Sequence, residues 1–161
     1  MTILAESWPV PDTELKPALR LAMSIGHAPM GLLLLRDIAS GALRMAATEG
    51  MTAEQGTLCA PLFESGGPID RACAEHEHLM IRDLLAEGTA LPPRFLDSAR
   101  QLGFRALAIE PLSLTANDSI GAVAMLYRAT HRARPRSVQM CAQCARLLAL
   151  AVEAGRERAR A

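Results

Sequence analysis

The chain has 161 residues, half of them hydrophobic but only 3% aromatic, and its 17 basic and 17 acidic side chains cancel. Balanced charge argues against a nucleic-acid binder, which usually carries a basic excess, and one Trp, one Tyr and three Phe are too few for a base-stacking platform. Four cysteines at irregular positions, in a chain that reads without a signal peptide, point to a reducing, cytoplasmic setting rather than a disulfide framework.

The length fits one domain with a core of Ala, Leu, Ile, Val and Met. The early apolar run Met30 to Leu35 is far too short to span a bilayer, so no membrane partner is expected. Residues 1–12, which hold Trp8, read as an N-terminal arm, and residues 13–158 as a single domain. Helix one is expected from about Thr13, with Pro17 in its first turn. Its apolar stripe is Leu15, Leu19, Ala22, Met23 and Ile25, and Gly26 stops it.

Met30 to Arg36 reads as a buried strand, Asp37 to Gly41 as a hairpin loop and Ala42 to Glu49 as the return strand. A short helix capped by Thr52 is expected to Phe63, and a second from Pro68 to Glu75. His78 to Arg82 is a brief third strand. Pro92-Pro93 opens a helix to about Leu102, ended by Gly103. Two long strands follow, Gly103 to Leu112 and Ser119 to Tyr127, joined by the polar turn Thr115–Ser119. Both are apolar on successive positions, so they are expected to be covered on both faces. A last helix runs from Ser137 to about Arg158.

Seven pieces in this order resemble a GAF sensory domain over roughly Leu15 to Glu153. They are Gly31-Leu-Leu-Leu-Leu-Arg-Asp37, Gly41-Ala-Leu-Arg44, Gly67-Pro-Ile-Asp-Arg-Ala72, Met80-Ile-Arg-Asp83, Gly103-Phe-Arg-Ala106, Pro111-Leu112 and Ile120-Gly-Ala-Val123. The resemblance implies an α/β (α+β) fold with a central antiparallel sheet of five to six strands. It places the N- and C-terminal helices on one face, with short helices and loops forming a pocket on the other. It also implies a signalling role and a homodimer formed through the terminal helices. The chain has no counterpart of the Asn-Lys-Phe-Asp-Glu signature of cyclic-nucleotide-binding members, nor the loop cysteine expected of bilin-carrying members. The cofactor is left unknown.

Within the chain, the segment Pro61–Arg105 holds Phe63, Phe95 and Phe104 with Ile69, Asp70, Asp83 and Arg94. An apolar lining with a few polar groups is what a small-molecule pocket requires. The other reading has the phenylalanines plug the second face of the sheet and Asp83 cap a turn. Glu110 shares strand parity with Ala106 and Ala108 and joins the pocket set. Burying a lone carboxylate is costly, so it is expected to pair, with an arginine for example, or to face a cavity.

Cys141 and Cys144 are neighbours on one helical face, on a stripe with Val138, Ala145, Leu148 and Val152, and read as buried structural thiols. His76-Glu-His78 lacks a third metal ligand, and all four histidines are expected at the surface. The basic loop Arg128, Arg132, Arg134 and Arg136 reads as a solvated charge run. A second stripe, Met140, Leu147, Ala151 and Ala154, asks for another helix or a second copy.

The leading functional reading is therefore a ligand-sensing regulatory domain without catalytic activity, in signal transduction or transcription regulation. Two alternatives stand beside it. One is an enzyme resembling the reductases of free methionine sulfoxide, with Cys59 and Cys73 in the covering segment; the other is a ligand-free dimerisation module.

Overall fold

A computed structural model describes residues 12–87, 91–115 and 118–161. The expected arm, save Asp12, and the tip of the Thr115–Ser119 turn lie outside these residues. The elements in chain order are α1 (Asp12–Gly26), β1 (Met30–Arg36), β2 (Leu43–Glu49), α2 (Ala53–Thr57) and a 3-10 turn (Ala60–Phe63). They continue with α3 (Pro68–Glu75), β3 (Leu79–Ile81), α4 (Leu84–Glu87), α5 (Pro93–Leu102), β4 (Ala106–Thr115), β5 (Asp118–Tyr127) and α6 (Pro135–Arg160). The strands form one five-stranded sheet in the order β2-β1-β5-β4-β3, antiparallel at every pairing.

Alternation sorts the sheet into two apolar faces, because successive side chains on a strand point to opposite sides. Leu33, Leu35, Ala106, Ala108, Leu112, Val123, Met125 and Tyr127 pack with Leu15 and Leu19 of α1 and with Cys141, Ala145, Leu148 and Val152 of α6. Met30, Leu32, Leu34, Leu107, Ile109, Ala122, Ala124 and Leu126 pack with Leu62, Ile69, Cys73, Phe95, Leu102 and Phe104 from the shorter elements. Both expected layers are present. The bulge at Ala46, where the β1–β2 register shifts, lets Ala46 and Ala47 both join the terminal-helix face.

Some boundaries differ from expectation for local reasons. Pro17 lies beyond the first turn, inside a helix that continues to Gly26; the amphipathic stripe carries it past the proline. The expected helix Thr52–Phe63 is two pieces. Thr52 and Gln55 form a reciprocal capping box at the start of α2, and Pro61 confines the chain beyond Cys59 to a 3-10 turn. The short α4 was not anticipated, and α6 starts two residues earlier than expected, with Pro135 in its first turn. Gly26 is the last residue of α1, but His27 takes the left-handed conformation (φ 55°) after it. The glycine serves close packing: a Cβ there would lie 2.6 Å from Met125 Sδ and 3.1 Å from the Tyr127 hydroxyl.

The second face is filled. Phe95 is 1% exposed and meets Phe104 edge-on, with ring centroids 6.4 Å apart at 80°, a favoured aromatic geometry. Phe95→Ala is expected to destabilise the domain by about 3–5 kcal/mol, the usual cost of removing a fully packed ring. Urea denaturation measures it, and a loss below about 1 kcal/mol would mean the ring borders open space.

Candidate functional site

The structure separates the residues that sequence reasoning grouped as one lining. Ile69, Phe95 and Phe104 are buried in the second-face core and Phe63 packs against it. Asp70 organises the start of α3: its Oδ2 accepts the Gly66 N–H at 3.0 Å, and its Oδ1 lies 3.4 Å from Arg36 Nη1. Asp83 accepts two hydrogen bonds from Arg105, at 3.0 and 3.1 Å, and a third from the Leu85 N–H. That pairing, with Arg105 Nε and Nη2 the larger cause, holds the Asp83 carboxyl below its usual range. Arg94 is exposed and pairs with Glu64 at 2.7 Å. Phe63, Ile69, Asp70, Asp83, Arg94, Phe95 and Phe104 thus cover or rim a packed face.

Glu110 is the clearest departure. Its parity with Ala106 and Ala108 is as read, but that parity puts it on the terminal-helix face, away from the phenylalanines. It is 7% exposed, and its partner is a histidine rather than an arginine: His78 Nδ1 donates to Oε2 at 2.7 Å. His76, which ends α3 in a left-handed conformation, bonds instead to Ser113 Oγ at 3.3 Å. The His76-Glu77-His78 pair therefore divides between two separate partners.

On this same face lies a cavity of about 460 Å³ that sequence reasoning missed. It sits where α1 ends and α6 begins, and is lined by Gly26, His27, His78, Ala108, Met125, Tyr127, His131, Arg132, Ala133, Arg134, Ser137, Val138 and Cys141. Ala108 is too small to fill the space below the first turns of α6. Tyr127, at the end of β5, donates its hydroxyl to the Gly26 carbonyl at 2.8 Å, tying the sheet to the end of α1. Its ring stacks on His131, 3.7 Å away and 7° from parallel. His131 is held in place by its own N–H, which donates to the Arg82 carbonyl at 3.2 Å.

Three of the four histidines expected at the surface therefore line one cavity. The signal was present only as scattered single residues, 27, 78 and 131, which no local spacing connects. Burial pushes the Tyr127 hydroxyl up to about 12, so it remains a neutral donor. Burial, and then His27, hold His131 below its ordinary value. Cys141, whose thiol points at the Ala22 carbonyl at 3.8 Å, is pushed up to about 11, chiefly by burial and then by Glu110 and Cys144. Cys59 is pushed up to about 12 by burial, and burial also raises Cys73, whose thiol donates to the Gly121 carbonyl at 3.4 Å. Cys141 is buried as expected, whereas Cys144 is half-buried. None of these is the low-pKa, exposed thiol that redox or nucleophilic chemistry uses.

No family model and no curated protein sequence matches the chain. Solved structures do match it over nearly its whole length. A domain of a protein described as a two-component sensor histidine kinase from Sinorhizobium meliloti superposes with a TM-score of 0.76 at 21% identity, covering 94% of this chain and 97% of its own. The GAF domain of the cyanobacteriochrome TePixJ gives 0.69 at 11% identity, covering 97% of each chain. A GAF domain/HD domain protein from Geobacter sulfurreducens gives 0.66 at 18% identity, over 86% of this chain and 89% of that one. The chain has a GAF-like fold.

The depressed pKa of His131 makes stability depend on pH with a definite sign. Below the ordinary value of 6.5 the unfolded chain takes up this proton more readily than the folded one, so stability is lost as pH falls through that window. The urea midpoint is expected to drop between about pH 8 and about pH 5, and His131→Phe, which keeps a ring against Tyr127, is expected to flatten the decline. Equal declines in the two proteins would assign the effect to other groups.

Proposed function

We propose that this chain is a cytoplasmic sensory or regulatory domain of signal transduction or transcription regulation, without catalytic activity, which binds a small molecule and signals through its terminal helices as a homodimer. The observation that carries this reading is the position of the 460 Å³ cavity. Its walls include Gly26, the last residue of α1, and the first turns of α6, so a ligand filling it would reach both terminal helices. The size lies within the roughly 300–1,000 Å³ of ordinary ligand sites. The neighbours support the same direction: one is named a sensor histidine kinase and another a cyanobacteriochrome.

On this reading the ligand lies in the cavity under α6 rather than against Phe63, Phe95 and Phe104, which belong to the second-face core. Those rings then support the sheet rather than contact the ligand. Mass spectrometry of whatever small molecule copurifies under native conditions tests the reading, and a protein that never carries or binds one would favour the dimerisation module.

The homodimer rests on exposed apolar side chains along the terminal helices. Leu147, Leu150 and Met140 of α6 are 68%, 52% and 44% exposed, and Leu21 of α1 is 55% exposed. Large aliphatic side chains on one helix at three- and seven-residue spacing are what a second helix covers. Leu147→Glu is expected to shift the protein toward monomer in sedimentation velocity while circular dichroism stays native. An unchanged sedimentation coefficient would put any dimer surface elsewhere.

The enzyme alternative draws little support from Cys59 and Cys73, which are buried with raised pKa values. Methionine sulfoxide is expected to be turned over by neither the wild type nor a Cys59→Ser/Cys73→Ser variant. Turnover that disappears in the variant would reinstate that alternative.

A further inference from the structure

Building on the sensor reading, we propose that the cavity under α6 takes a small organic anion, a carboxylate carried on a flat apolar body. The charge of the wall points one way. Among the described residues no acidic side chain lines the cavity, whereas Arg132 and Arg134 do, and neither arginine pairs with a carboxylate there. Glu110, the buried carboxylate nearby among the described residues, is turned to His78 at 2.7 Å.

The same end of the cavity receives the start of a 26-residue helix. Arg134, the residue before it, is extended and makes no side-chain cap, and Pro135 fills the first position. The amide hydrogens of Arg136 and Ser137 are therefore left by the cap for another acceptor. A long helix whose first-turn amides lack a side-chain acceptor favours negative charge. Here the helix end is joined by two guanidinium groups, which match a carboxylate in geometry as well as sign.

The rest of the wall combines one flat, largely apolar side with the polar groups of His27, His78 and Ser137. The stacked Tyr127 and His131 rings form a planar side, with Ala108, Met125 and Val138 beside them. The Tyr127 hydroxyl is committed to the Gly26 carbonyl and His78 to Glu110, which leaves fewer polar partners for a polyhydroxylated ligand. A cation would meet two arginines and the positive end of α6. A multiply charged phosphate compound would leave part of its charge against Ala108, Met125 and Val138.

The test titrates 1-naphthoate, its neutral analogue 1-naphthamide and inorganic phosphate into the whole chain, following the amide resonances of Tyr127, Ser137 and Val138. Naphthoate is expected to shift them saturably, with naphthamide and phosphate each at least about tenfold weaker, as the loss of a charge-assisted hydrogen bond implies. The double variant Arg132→Ala/Arg134→Ala removes exposed side chains only. It is expected to keep its circular dichroism and melting curve and to lose about tenfold in naphthoate affinity.

Naphthamide binding as well as naphthoate, an unaffected double variant, or shifts confined to other resonances would overturn the anion assignment while leaving a ligand site. Phosphate binding equal to naphthoate would overturn the flat apolar body. A neutral or cationic molecule found by native mass spectrometry would do the same to the anion alone. No saturable shift with any probe would overturn the proposal. The sensor reading would fall with it only if the native protein also carried no small molecule.

Discussion

The sheet has to be covered on both sides, and most of the molecule follows from that. The strands β1, β4 and β5 carry apolar side chains on successive positions, and burying a large aliphatic side chain is worth about 1.5–3 kcal/mol. One layer of helices cannot satisfy such a strand. The terminal helices close one face and the short elements between β2 and β4 close the other. Register is then fixed tightly, because a slip of one residue would exchange the two faces. A polar group on these strands must find a partner inside. Glu110 does so with His78, a residue that the chain places 32 positions earlier at the start of β3.

The two layers are filled unequally. Beneath the short elements the space is taken by rings and long aliphatic chains, Phe95, Phe104, Leu62 and Ile69 among them. Beneath the terminal helices β4 offers Ala106 and Ala108. Small residues let α6 lie close to the sheet along most of its length, where Leu148, Ala149 and Val152 are buried. Toward its first turns the helix has no such supply of side chains: Val138 is only half-buried and Met140 points to solvent. With α1 already ended at Gly26, no large side chain among the described residues fills the gap, and packed interiors do not close such gaps without large side chains.

Much of this was legible in the sequence and the rest was not, for identifiable reasons. The buried strand Met30–Arg36 and the helices opened by Pro68 and Pro93 each carried a strong local signal and formed as read, and the β4–β5 hairpin formed with β4 three residues further along than read. The stripes of α6 were read correctly too, one mostly buried and the other exposed. Alternation showed that Glu110 shares a face with Ala106 and Ala108. It did not show which layer covers that face, since a period of two is the same for both sides. Assigning Glu110 to the phenylalanines was an error of layer rather than of parity. The cavity was illegible for a different reason. Its histidines are single residues just after α1, just before β3 and in the loop before α6, and the β3–β4 and β4–β5 pairings bring the last two regions together.

The position of the gap also decides what filling it would do. The far half of α6 is anchored: the Arg156 guanidinium, 8% exposed, donates to the Arg36 carbonyl at 2.9 Å, and Val152 is fully buried. The near half packs through Cys141 and Ala145, while its first turns border the cavity. A helix anchored in this way would answer a ligand at its first turns by a change of angle rather than of internal structure. A ligand shifts such an equilibrium only by the difference in its affinity for the two placements of the helix. A molecule held between the Arg132–Arg134 segment and the sheet would supply that difference, because its contacts exist only when the first turns of α6 lie over it. The exposed leucines Leu147 and Leu150 sit beyond the gap on the same helix. A change of angle at the cavity therefore reaches the surface on which a second copy would pack.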